Sequence, residues 1–146
     1  MLRSVLAVIV GYIVMFILQV AAFMTIYSVV GPGWSFKTGS YQASNRWTLM
    51  QFVVIFVTAA IAGLICAVIA KGGRAPLALA GVVLVLGLLL GVAGTAMRPA
   101  THEVRTGDVP NMVAMSKAWH PTWVIFLGPV IGAIGVVIGG KLKRRS

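Results

Sequence analysis

Four uninterrupted apolar runs, 5–30, 48–70, 75–97 and 122–140, alternate with short polar segments along the 146 residues, and none of the four holds a charged side chain. A helix rises 1.5 Å per residue, so about 20 apolar residues cross the ~30 Å hydrocarbon layer of a bilayer. Each run has that length. The pattern predicts an all-α, polytopic membrane protein with four transmembrane helices in an up-down-up-down bundle, forming a single domain over 1–146. The longest run, 5–30, is expected to tilt or to project beyond the membrane.

The polar segments supply the punctuation. Gly31, Pro32 and Gly33 end the first span, and the polar stretch from Ser40 to Asn45 precedes Trp47 at the start of the second. Lys71, Gly72, Gly73 and Arg74, with Pro76 suited to a first helical turn, predict a tight hairpin between the second and third spans. In the loop 98–121, Met112, Met115 and Trp119 recur at helical spacing after Pro110, which predicts a short amphipathic helix over 109–118. Arg3 ahead of an apolar stretch ending at Val20, Ala21 and Ala22 has the outline of a secretory leader, but the apolar character runs on through Phe23 and Ile26 to Val30, which favours an uncleaved span.

Charge sets the expected orientation. Segments 1–4, 71–74 and 141–146 hold Arg3, Lys71, Arg74, Lys141, Lys143, Arg144 and Arg145, whereas the longer loops 31–47 and 98–121 hold Lys37, Arg46, Arg98, Arg105, Lys117 and both acids, Glu103 and Asp108. The positive-inside rule gives both termini in the cytoplasm, N-in/C-in, as expected for a bacterial cytoplasmic (inner) membrane. Trp34, Trp47, Trp119 and Trp123 all fall at the opposite boundary, where an indole favours the headgroup zone. The net charge of +10 therefore points to anionic lipid at the cytoplasmic face, met above all by Lys141, Lys143, Arg144 and Arg145, and not to nucleic acid.

Small residues mark the helix contacts. Gly128, Gly132, Gly135 and Gly139 lie within about 60° of one another around a helix. The third span carries Ala80, Gly87, Gly91 and Gly94, and the second Ala59, Gly63, Cys66 and Ala70. Such stripes let backbones approach in lipid, where apolar burial itself gives no net drive. Three stripes exceed what a minimal bundle needs, so a homo-oligomer or another membrane protein enters as a partner.

Chemistry is sparse. Cys66 is the single cysteine, which excludes paired-thiol exchange within the chain. No acid stands inside a span, so proton-coupled exchange lacks a carrier. Gln19 and Thr58 lie at similar depth and form a possible midplane polar pair, either a clamp between helices or solute ligands; Thr25, Gln51 and Thr95 sit nearer the outer surface. His102, Glu103, Asp108 and His120 are of types that bind divalent ions, but their spacing matches no short metal motif, and Arg98, Arg105 and Lys117 are at hand to neutralise the acids. No catalytic residue and no cofactor are expected. The function these features suggest is a non-enzymatic accessory or assembly subunit packing through its glycine stripes. The alternative is an oligomeric permeation protein whose Gln19, Thr58 and Thr95 line a path for a neutral or weakly polar solute, and the third is a divalent metal site in the outer loop.

Overall fold

The computed structural model describes residues 2–71, 74–98, 103–107 and 109–145, with the last two as backbone. It is all-helical, in the order α1 (Leu2–Ser35), α2 (Asn45–Ile69), α3 (Ala75–Ala96), α4 (Asn111–Lys117) and α5 (Thr122–Arg145). The four long helices are apolar enough to cross a membrane. No strand is present among the described residues, only isolated bridges between loops.

The ends of the helices follow local chemistry. Gly31 breaks α1 with φ 73° and ψ 178°, a left-handed backbone open to glycine, and Pro32 starts a last short turn through Ser35. The first span thus stops at its expected end and a turn of helix follows at a new angle. Helix α2 begins ahead of its apolar run because Ser44 caps it: the Ser44 hydroxyl accepts from Trp47 N at 3.1 Å and donates to Trp34 O at 2.7 Å. Lys71, at φ 54°, turns the chain out of α2 in the left-handed region. Helix α5 continues past its apolar run into the basic tail, where cations favour the negative end of the helix dipole.

Helices α2 and α5 form the central pair, and their contacts climb together. Gly128 faces Ile55, Gly135 faces Phe56 and Ala59, Gly139 faces Ala60, and Gly63 faces Val136. The two helices therefore run side by side in the same sense. Helix α3 packs against α5 in the opposite sense, with Gly91 on Ile125, Gly87 on Pro129 and Gly140 on Pro76. Helix α1 lies over α2 and α3, its Gly11 against Leu79, Cys66 and Ala62. Among the described residues no Cα of α1 comes within 8 Å of one in α5.

This arrangement is solid at one end and open at the other. Near both chain termini, Ala7, Ala59, Ala62, Cys66, Ala75, Leu79 and Val136 form a closed core in which all but Ala75 are fully buried. Toward the opposite end the four long helices leave a space between them, and residues of the long loops border it.

Those loops fold into a cap with its own core. Tyr27, Phe36, Tyr41 and Ala114 are buried there, with Trp47, Val109, Ala118 and Trp119 packed around them. Tyr27 and Trp47 meet edge to face at 6.1 Å, and Phe36 and Tyr41 at 5.8 Å. Backbone bonds stitch the loops together: Ala43 N donates to Trp119 O, Trp119 N to Tyr41 O, and Arg105 N to Gly39 O. Tyr27 Oη donates to Val109 O at 2.9 Å and Asn111 Nδ2 to Ser28 Oγ at 2.7 Å, tying α1 to the segment before and within α4.

Helix α4 stands within the expected 109–118 stretch, but its Met stripe is not the packed face. Met112 and Met115 are exposed while the small Ala114 is buried under the aromatic cluster. The reason is steric. Ala114, with its small side chain, lets α4 approach Tyr27 and Phe36 closely, while Met112 and Met115 lie on the exposed side.

Candidate functional site

Two adjoining cavities occupy the open end of the bundle. The deeper one, about 300 Å³, lies between α1, α2, α3 and α5 and is lined by Tyr12, Met15, Gln19, Gln51, Ile55, Val83, Gly87, Val124, Gly128, Pro129 and Gly132. The outer one, about 610 Å³, opens under the cap between Met97, Arg98, Glu103, Lys117, Trp119 and Tyr41. His120 and Ile125 line both. Cavities of this size fall in the range of small-molecule sites.

The glycines of α5 explain why a cavity exists at one level and not at another. A β-carbon on Gly139 or Gly135 would lie 1.9 Å from Ala60 O or 2.7 Å from Phe56 O, so there the backbones are in direct contact. One on Gly128 would meet only Ile55 Cδ1, at 3.6 Å, and one on Gly132 would meet Val83 Cγ1 at 3.2 Å and Ile55 Cγ2 at 3.6 Å. The same stripe thus closes the bundle at one end and hollows it at the other. Pro129 adds to this level: lacking an N–H, it leaves the Ile125 carbonyl without its usual helical donor beside both cavities.

Polar atoms converge on the junction. Gln51 Oε1 and His120 Nε2 are buried and meet no hydrogen-bond partner among the described residues. Buried polar atoms without partners are costly, so two at one cavity call for a hydrogen-bonding guest there, water or solute. Burial pushes the His120 pKa down to about 4, with the positive charge of Arg98 adding to the effect, so the imidazole is neutral at physiological pH. Arg98 is held at the rim by donating from Nη2 to the His120 carbonyl. On the opposite side Lys117 pairs with Glu103 and lies over the Tyr41 ring at 5.6 Å.

The residues singled out by sequence divide between this site and the packing. Gln19 lines the deeper cavity together with Gln51. Thr58 does not join it, because its hydroxyl donates within α2 to Val54 O at 2.7 Å. Thr95 likewise donates to Val92 O and Thr25 to Ala21 O. Glu103 is held by Lys117 and His120 is turned to the cavities; His102 and Asp108 lie outside the described residues. No group of three or more metal-binding side chains occurs among the described residues. Gly63, Gly87, Gly91, Gly135 and Gly139, with Ala59, are used in contacts inside the chain, whereas Gly94 faces open space. Lys141 and Lys143 are exposed on the last turns of α5, and the side chains of Arg144 and Arg145 lie outside the described residues.

Sequence reading placed Gln51 near the outer surface, where it could line a vestibule, and it does line the deeper cavity, but it missed Arg98 as the partner of the His120 carbonyl. Arg98 is unremarkable alone, and its meeting with His120 depends on how the ends of α3 and α5 come together. No protein family, no curated protein and no solved structure matches this chain.

Proposed function

We propose that this chain is a non-enzymatic, multi-pass protein of a bacterial cytoplasmic membrane, N-in/C-in with an up-down-up-down bundle, that binds a small molecule from the outer side. The observation that carries this reading is the cavity between α1 and α5, with Gln51 Oε1 and His120 Nε2 left without partners at its mouth. Binding is preferred over permeation because the cavity stops at the closed core around Ala62, Cys66 and Leu79. Of the three residues expected to line a path, Gln19 alone borders it.

A second reading, an accessory subunit of a larger membrane assembly, is favoured by α1. Of its most apolar stretch 17 % is buried inside the chain, against 39 % for α5, which leaves α1 a broad face for lipid or for another helix. The glycine stripes give that reading less support, since most of their members are engaged within the chain. On either reading the exposed Lys141 and Lys143 suit an anionic inner leaflet.

Native mass spectrometry of the protein extracted gently from its own membrane tests both. A small added mass on the 15.4 kDa chain, lost in Gly128→Leu, supports the binding reading. Added protein masses support the accessory reading. A bare chain, with no small molecule retained under any gentle extraction, overturns the first.

A further inference from the structure

The two cavities differ in chemistry, and the difference constrains what spans them. Below the junction with Gln51 and His120, the deeper walls are mostly Met15, Ile55, Val83, Pro129 and the bare backbone of Gly128 and Gly132, with Tyr12 and Gln19 as their polar members. This slot is uncharged and mainly apolar. It runs from the His120 junction to Gly132, about three turns of α5, or roughly 15 Å at the helical rise. The outer cavity is walled instead by Arg98, Lys117, Glu103 and Ser116, beneath Tyr41 and Trp119. Its two cations outnumber its one acid, and His120 adds no charge at neutral pH because of its lowered pKa.

Resting on the reading of the cleft as a binding site, we propose that its ligand is a single-chain amphiphile, with an anionic oxygen head at Arg98 and Lys117 and an apolar chain in the slot down to Gly132. Between head and chain, a hydroxyl of the ligand can donate to Gln51 Oε1 and accept from His120 Nε2–H, the two atoms that the protein leaves unpaired. Both cations are already positioned by the protein, Arg98 through the His120 carbonyl and Lys117 through Glu103. A head group therefore gains charge-assisted bonds without ordering two long side chains. The site also lies where such a molecule is present, since the interfacial tryptophans Trp119 and Trp123 mark the headgroup level. The charge-free spans alone suggest a neutral solute; the basic rim, contributed by a loop and a helix end, changes that expectation.

The test uses the full chain in nanodiscs of a zwitterionic phospholipid, with empty nanodiscs subtracted. Binding of oleyl phosphate, oleate, oleyl alcohol and inorganic phosphate is measured, the first three sharing one chain. The expected result is saturable binding of oleyl phosphate or oleate, one per chain, about tenfold or more tighter than the alcohol, as a charge-assisted bond implies. Preference for oleate assigns a fatty-acid source and preference for the phosphate a lysophospholipid source. Arg98→Gln should bring the anionic ligand to the level of the alcohol, and Gly128→Leu should abolish all chain binding with an unchanged unfolding temperature. If Gly128→Leu does not fold, Arg98→Gln carries the decision, since Arg98 lies outside the packed helices. Equal binding of alcohol and anion overturns the head-group assignment and leaves the binding cleft standing. Absence of binding by all three chains overturns both, and binding of inorganic phosphate alone overturns the chain assignment.

Discussion

A β-carbon on Gly139 would lie 1.9 Å from the carbonyl oxygen of Ala60, so α5 and α2 touch backbone to backbone. The same holds at Gly63, where a β-carbon would lie 2.1 Å from Val136 O. In lipid, such close approach is a main source of helix association, because van der Waals contact replaces the apolar drive available in water.

Gly139→Ala and Gly63→Ala are therefore expected to force α2 and α5 apart, at the cost of an overpacked core, about 1–3 kcal/mol or more. Gly81→Ala and Gly94→Ala, with nothing within 4 Å, should be neutral. Thermal unfolding in detergent, followed by helical circular dichroism, separates the two pairs. Equal behaviour of all four would remove the backbone-contact argument.

Cys66 reports on the same core. It is fully buried and touches the Gly11 position of α1, so a membrane-permeant maleimide should leave it unlabelled in the native protein and label it in Gly139→Ala as the bundle loosens. Mass spectrometry counts the adduct. Rapid labelling of the native chain would contradict the closed core near the chain termini.

Thr58 tests whether depth implies contact. Its hydroxyl bonds its own helix, so Thr58→Val should change stability little, and its effect should add to that of Gln19→Leu within about 0.3–0.5 kcal/mol. A larger coupling in the double-mutant cycle would mean that Gln19 and Thr58 meet.

The Tyr27 hydroxyl holds the second long loop to α1 through Val109 O. Tyr27→Phe keeps the ring contacts with Phe36 and Trp47 and removes that bond, worth about 1 kcal/mol. Limited proteolysis within 98–110 should become faster in the variant while the helices stay intact. An unchanged cleavage rate would show that the aromatic core alone holds the cap.

His120 sets the acid sensitivity of the cap. Its folded pKa, about 4, lies below the ordinary histidine value of 6.5, so between those values the unfolded chain takes up a proton that the folded cap excludes. Stability contributed by the neutral imidazole is full above pH 6.5 and falls as the pH drops toward 4, by an amount on the order of 1–3 kcal/mol. In His102→Gln, nuclear magnetic resonance of the one remaining imidazole should show it neutral down to near pH 4, and His120→Gln should flatten the pH dependence of cap proteolysis. A titration near 6.5 would place the ring in solvent.

Much of the architecture is local, and so is legible along the chain. A run without charge over 20 residues has few alternatives to a membrane helix, because every backbone polar group in lipid must be satisfied within its own segment. Gly31 and Ser44 mark ends through their own conformational and capping chemistry, and the glycine spacing on α5 identifies the face that packs. Which glycines press on backbone and which line a void is not local. Gly128 and Gly139 look alike in the sequence, and only the closer approach of α2 to α5 at one end makes one a contact and leaves the other a cavity wall. The cap is the same kind of case. Tyr27, Phe36, Tyr41 and Trp47 are interfacial aromatics one by one, and they become a core because two loops distant in sequence pair through Tyr41, Ala43 and Trp119. Composition and periodicity are sums over neighbours in sequence, so they determined the membrane helices and their packing faces. Burial, the lowered pKa of His120 and the unpaired Gln51 arise from groups brought together across the chain, and tertiary structure alone decided those.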